Sequence, residues 1–269
     1  MIGLDFNLIK RATNSFLRKF GLSLVFTKTL DSMIESRALH DYQITFLLAS
    51  EESNLVEMIP LLDKSKSQNF QDLLVLRHLK LKRNGYFVEF GATNGIDFSN
   101  TYLLENEFAW SGILAEPARS YFKELSKNRP NAVLKELCVW ESSDLFLPFK
   151  ETSNRDLSTL NIFSESDHYS DERREGQIYE VQTISLIDLL DRNGAPSHID
   201  YLSIDTEGSE FTILSAFDFD RYTFGVITCE HNYSPNREKI YELLTSKGYV
   251  RKFENLSKWD DWYFREVKG

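Results

Sequence analysis

Cysteine is nearly missing from this chain: Cys138 and Cys229 are the two in 269 residues. So few thiols exclude a disulfide-stapled scaffold. Each lies inside an apolar run, so both read as reduced core thiols of a protein in a reducing compartment, the cytoplasm. Long apolar runs are missing too, and none approaches the roughly 18 residues of a membrane-crossing helix. The first residues lack the apolar core and small-residue cleavage site of a secretory signal. Positive charge is scarce: 31 Lys and Arg against 41 Asp and Glu leave a formal net charge of -10. That excludes a general grip on nucleic acid, whose phosphates need a basic surface. A small neutral or cationic ligand suits the balance better. There is no internal repeat, no low-complexity tract and no G-x-G-x-x-G.

What is present is a core-forming sequence, 42% hydrophobic and 13% aromatic, long enough for one large α/β domain with an appendage. Residues 1–66 read as an N-terminal helical extension and residues 67–269 as the main domain. In the extension, Phe6, Ile9, Phe16, Leu17 and Phe20 fall on one helical face with Lys10, Arg11, Arg18 and Lys19 around it, and Gly21 stops the helix. Such a basic amphipathic helix packs on its own domain, on a second copy in a homo-oligomer, or peripherally on a membrane surface. A second helical region runs over 32–62, closed by Pro60. Residues 67–81 read as a helix, with Arg77, His78, Lys80, Lys82 and Arg83 as its solvated face.

From there helix and strand patterns alternate. Strands are expected over 87–90, 112–115, 133–140, 199–204 and 224–229, with helices over 99–107, 118–127, 186–192 and 235–247, and two last β-prone runs over 249–253 and 262–264. Alternation of this kind implies parallel strands joined by right-handed crossovers in a doubly wound sheet. The polar stretch 145–182 breaks the rhythm and reads as a lid or acceptor-binding loop.

The chemistry-bearing residues sit where these strands end. Residues 87–95 read F-V-E-F-G-A-T-N-G, a strand running into a glycine-bearing turn. Taken alone this is either an ordinary βα turn or a ligand loop. Glu89, Glu116, Asp205 with Glu207, and Glu230 all fall at strand ends. In a doubly wound sheet those ends share one edge, so the acids converge on a single cleft. Glu116, 21 residues beyond Gly95, is placed to accept the hydroxyls of a ribose. Glu89 beside the turn disfavours a pyrophosphate and favours a ligand carrying an ammonium group. The combination points to S-adenosylmethionine.

The motifs F-V-E-F-G-A-T-N-G, G-I-L-A-E-P, D-Y-L-S-I-D-T-E-G-S-E and C-E-H-N-Y resemble those of the FkbM family of S-adenosylmethionine-dependent methyltransferases, from residue 67 onward. The resemblance implies a Rossmann-like class I methyltransferase fold, with a seven-stranded, mostly parallel sheet whose last strand is antiparallel. It also implies O-methylation of a sugar hydroxyl on a glycan or glycosylated metabolite. Thr93 departs from the pattern, since a glycine is common there. By the same resemblance Gly91, Ala92 and Gly95 cradle the methionine part, with Glu89 near its ammonium and Asn100 or Thr101 assisting. Glu116 holds the ribose, Cys138 and Val139 flank the adenine, and Asp205 lies near the reacting methyl. The implied strand order puts Cys138 on the outermost strand of one half of the sheet, far from Cys229.

Methyl transfer to oxygen requires removal of the hydroxyl proton. His231 is the leading general-base candidate, with Asp205 and Glu230 beside it. Asp205, Glu207, Glu230 and His231 can instead ligate Mg²⁺ or another divalent ion, or Glu207 and Glu210 merely suit a helix N-terminus. Tyr169, Tyr179, Tyr233, Trp259 and Trp262 are sugar-stacking or ordinary core residues. The rival readings are an NAD-dependent oxidoreductase and a non-catalytic cofactor-binding scaffold.

Overall fold

A computed structural model describes residues 27–49, 55–165 and 170–265, without the side chains of residues 27–34, 55 and 155. The basic helix expected before Gly21 and Tyr169 lie outside the described residues. The chain divides into two compact units, residues 1–51 and 52–269. In the first, the helix α1 (Thr27–Leu48) leaves Leu39, Ile44 and Leu48 exposed. No described helix is long and apolar enough to cross a membrane.

The second unit begins with α2 (Leu55–Leu62), and Pro60 lies inside it rather than closing it. The carbonyl that loses its donor belongs to Val56, which is 80% exposed and free to bond water. The helix α3 (Gln71–His78) is buried through Arg77, so the expected solvated basic face starts only at His78. Arg77 lies 5.7 Å from the centre of the Phe253 ring.

Strands and helices then alternate: β1 (Tyr86–Phe90), α4 (Tyr102–Phe108), β2 (Ser111–Ala115), α5 (Arg119–Asn128) and β3 (Val133–Lys135). The run expected as one strand over 133–140 breaks in two, and β4 (Cys138–Trp140) leaves the sheet. The stretch expected as a loop folds as β5 (Phe146–Glu151), β6 (Thr159–Leu160) and β7 (Gln177–Ser185). The chain returns through α6 (Leu186–Arg192), β8 (His198–Ile204), α7 (Glu210–Ser215), β9 (Thr223–Glu230), α8 (Asn236–Ser246), β10 (Tyr249–Lys252), α9 (Glu254–Ser257) and β11 (Asp260–Arg265).

The main sheet has seven strands in the order β10-β11-β9-β8-β1-β2-β3. The last strand, β11, is antiparallel to both neighbours, while β3, β2, β1, β8 and β9 pair in parallel. The sheet is that of the Rossmann-like class I methyltransferases. A second sheet, β4-β7-β5-β6, carries Cys138, so that thiol is not on the outer strand of the main sheet. Both cysteines are free and buried.

The central strands are mostly apolar because both faces are covered, with Glu89 and Glu230 near their carboxyl ends. On one face Val88, Phe90, Ile113, Leu202, Ile204 and Ile227 join Leu189, Leu190, Ile213, Leu214, Ile240 and Leu244 of α6, α7 and α8 in one core. On the other, His78 of α3 packs against Phe264 of β11, with ring centres 4.6 Å apart. Leu202 is fully buried on β8, which is paired on both edges. Leu202→Ala is expected to cost about 2–5 kcal/mol, seen in urea unfolding as a lower midpoint with an unchanged slope.

Candidate active site

Five parallel strands end at one edge, and there the chain must turn. Phe90 N–H and C=O groups are used by the sheet, and the Asp205 N–H donates to the Phe90 carbonyl at 3.2 Å, so the turns after β1 and β8 run side by side. Gly91 has φ +77°, and a Cβ built on it would lie 1.6 Å from the Asp205 carbonyl oxygen. Only glycine satisfies both the dihedral and the approach.

Around these turns lies a cavity of about 370 Å³, within the range of small-molecule sites. Glu89, Gly91, Asn100, Glu116, Cys138, Val139, Asp205, Glu207 and Glu230 all line it, so the acidic strand ends converge as expected. Ala92, Gly95 and Thr101 do not line it; they support the loop from behind. Thr101 Oγ1 donates to Glu89 Oε2 at 2.5 Å, and the Asn100 N–H donates to Glu89 Oε1 at 2.8 Å. Burial raises the Glu89 pKa, opposed chiefly by the nearby Arg129 charge.

Arg129 is fully buried behind this loop. Its guanidinium donates to the Gly95 carbonyl at 3.0 Å, to Ser99 Oγ at 3.1 Å, to Thr101 Oγ1 at 3.0 Å and to Glu105 Oε2 at 2.7 Å. Sequence reasoning missed it, since an arginine ending an amphipathic helix reads as solvated. A Pro directly after it, at position 130, marks a helix terminus but not the direction of the side chain.

Glu116 is 4% exposed. One oxygen accepts the Thr93 N–H and the other the Ala118 N–H, each at 2.8 Å. The Thr93 backbone is left-handed at φ 45°, which aims that N–H at the carboxylate. Burial nonetheless raises the Glu116 pKa to about 8. Beyond it the lining is largely apolar: Tyr121, Leu137, Cys138, Val139, Phe149 and Leu160. Tyr121, Phe149 and Leu160 belong to α5 and the second sheet, and only the cysteine-valine pair among these residues was expected. Glu116 and this apolar wall fit a nucleoside, and the Gly91 turn leaves room for an extended chain beside it.

At the other end Asp205, Glu207 and Glu230 each offer a carboxylate oxygen, all within 4.8 Å of one another. Burial raises Asp205 to about 7, with a hydrogen bond from Glu230 acting against it. Burial, and then the facing Asp205, push Glu230 well above the ordinary range. Glu207 Oε2 pairs with the fully buried Arg173 at 2.8 Å and accepts from Asn232 at 3.3 Å. Arg173, embedded in a polar run, also gave no sequence signal. It donates to the Leu157 carbonyl at 2.7 Å, and Thr159 Oγ1 donates to the Glu207 carbonyl at 2.9 Å. The segment between β5 and β7 is thereby tied to the turn after β8, and Asn154, Asp156, Leu157 and Ser158 line the cavity from it.

His231, expected as general base and metal ligand, is a correction. It is 3% exposed and does not line the cavity. Its Nδ1 accepts the Tyr233 N–H at 2.9 Å, so Nε2 carries the proton and faces the Asp260 carbonyl at 3.1 Å. Burial lowers its pKa to about 4. Both nitrogens are committed in the neutral ring, which leaves none for a hydroxyl proton or a cation. Of the aromatics considered for sugar stacking, Trp259 lines the cavity, while Trp262 is fully buried on β11 and Tyr179 packs in the second sheet against Phe149. Phe98, 49% exposed at the cavity and left-handed at φ 60°, was not anticipated.

Residues 89–257 match the family model described as the methyltransferase FkbM domain. No curated protein matches the chain. Among solved structures, it is similar to a precorrin-6y C5,15-methyltransferase from Geobacter metallireducens, at 14% identity over 72% of this chain and 87% of that one, with a TM-score of 0.36. It is similar also to a putative RNA methyltransferase from Pyrococcus horikoshii, at 11% identity over 73% and 82%, TM-score 0.36. A third is TrmK of M. capricolum in complex with S-adenosyl-homocysteine, at 11% identity over 71% and 66%, TM-score 0.32.

Removing the Arg173 guanidinium strips a buried carboxylate of its cation. Arg173→Met is expected to cost about 3–5 kcal/mol, measured by urea unfolding, with faster proteolytic cleavage of the segment between β5 and β7.

Proposed function

The chain belongs to the FkbM family of S-adenosylmethionine-dependent methyltransferases, and from that premise we propose that it methylates a hydroxyl oxygen of a sugar, on a glycan or glycosylated metabolite. The observation that carries this reading is the cavity lining. Glu89, Glu116, Asp156, Asp205, Glu207 and Glu230 face it, and no Lys, Arg or His does among the described residues. Such a wall accepts hydrogen bonds from hydroxyl groups and repels phosphates. Phe98 and Trp259 add apolar faces against which a sugar ring can lie.

S-adenosylmethionine supplies an electrophilic methyl group on a sulfonium sulfur. Of this chain, Glu116 accepts the ribose hydroxyls while keeping its two backbone donors. Val139 and Cys138 border the adenine, with Tyr121, Leu137 and Phe149 completing that wall. Glu89, Gly91 and Asn100 border the methionine part. Asp205 receives the acceptor proton, assisted by Glu230, and the apolar wall together with the tied segment excludes water. The acidic lining opposes the dehydrogenase reading, because a pyrophosphate has no cation to meet. A scaffold without chemistry would bind the cofactor and methylate nothing.

The acceptor is tested by supplying labelled S-adenosylmethionine with a panel of neutral glycosides and locating the label by mass spectrometry. A methyl ether is expected, with turnover lowered about 10²–10⁴-fold in Asp205→Asn. Label on nitrogen alone, or on no acceptor, ends the sugar reading.

Glu116 makes cofactor affinity depend on pH. Ribose hydroxyls favour the ionised carboxylate, so binding must expel the proton held below about 8. Affinity for S-adenosylhomocysteine is therefore expected to rise with pH, roughly tenfold per unit between pH 6 and 8, and then level off. Glu116→Gln, which turns an amide donor toward a backbone N–H, is expected to flatten that profile and weaken binding about 10- to 100-fold. Calorimetry across the pH range measures both.

A further inference from the structure

We propose that Asp205, Glu207 and Glu230 hold a hard divalent cation at the acceptor end of the cavity. Three carboxylates from two strand ends bring an oxygen each within 4.8 Å of one another, close enough for one ion with bonds of about 2.1–2.5 Å to reach all three. A second observation points the same way. Glu230 is 94% buried, being 6% exposed, and its Oε2 has no hydrogen-bond partner although it lines the cavity. A buried oxygen left without a donor costs free energy that a bound cation would recover.

Charge decides what kind of cation. Arg173, behind the wall, neutralises one of the three carboxylates through Glu207, and no basic side chain lines the cavity itself among the described residues. With Asp205 and Glu230 ionised as ligands, two negative charges remain, which a divalent ion cancels and an ammonium group only halves. The donors are all carboxylate oxygens, without imidazole or thiolate, so the class is Mg²⁺, Mn²⁺ or Ca²⁺ rather than Zn²⁺ or Cu²⁺.

The catalytic use of the ion rests on the O-methyl transfer reading; its binding does not. An acceptor hydroxyl coordinated there is more acidic. Its proton passes to the second Asp205 oxygen, the oxygen attacks the methyl carbon, and the carbon–sulfur bond breaks. The products are a methyl ether and a neutral thioether. A vicinal diol would take two coordination positions and be fixed in one orientation.

The test is titration of the purified full chain with Mn²⁺, following free ion by electron paramagnetic resonance. One equivalent is expected to bind, weakened at least roughly tenfold in Asp205→Asn and in Glu230→Gln. Tb³⁺ luminescence sensitised by Trp259, which lines the same cavity, gives a second readout on the unmodified protein and should be quenched by competing Ca²⁺. Absence of binding, binding unchanged in both variants, or displacement of Mn²⁺ by S-adenosylmethionine would each overturn the proposal. Sugar methylation that persists after chelation removes the ion and keeps the methyl-transfer reading. Stoichiometric Mn²⁺ binding without any methyl ether keeps the ion and removes that reading.

Discussion

The contact between Gly91 and the Asp205 carbonyl is the constraint on which the site depends. Two adjacent parallel strands, β1 and β8, must end at the same level and turn without diverging, and only a residue lacking Cβ at position 91 permits it. Because those turns touch, Glu89 and Asp205 border one cavity. The neighbouring strands β2 and β9, held in register on either side, bring Glu116 and Glu230 to the same rim. Backbone packing thus gathers side chains that lie more than a hundred residues apart.

Gathering carboxylates in a buried place is unfavourable unless something offsets the repulsion. The chain offsets part of it with two fully buried arginines. Arg129 stands behind the loop that carries Glu89, and Arg173 meets Glu207. Glu116 is served by two backbone donors instead. What remains uncompensated is the pair Asp205 and Glu230, and its cost is visible in the raised proton affinity of both. A site of this kind is preorganised for positive charge, since the repulsion is built in by the fold before any ligand arrives.

Much of this was legible in the sequence, for physical reasons. Apolar runs of four to eight residues ending in Gly, Asp or Glu identify buried parallel strands and place their last residues at one edge; Glu89, Glu116, Asp205 and Glu230 were found that way. The helix Leu186–Arg192 was clear from its spacing. What failed were features that depend on tertiary partners. Residues 133–140 look like a single strand because no local signal marks where a chain changes sheets. The polar run around Arg173 looks like solvent-facing loop because its ion pair lies with a residue 34 positions away. His231 sits at a strand end, as a general base would, yet the turn at Asn232 and Tyr233, both left-handed, folds a backbone N–H onto its ring.

The second sheet is one continuous excursion: the chain leaves the main sheet after β3 and re-enters at α6, having built β4 to β7 on the way. Its polypeptide supplies one wall of the cavity without contributing a strand to the seven-stranded sheet. Within it, Cys138, Val139 and Phe149 line the apolar part of the cavity, whereas substitutions and insertions around residues 154–158 can remodel what enters without disturbing that wall. In evolutionary terms that short stretch, rather than the whole excursion, is the replaceable part, set apart from the turns after β1, β2 and β8 that the sheet itself constrains.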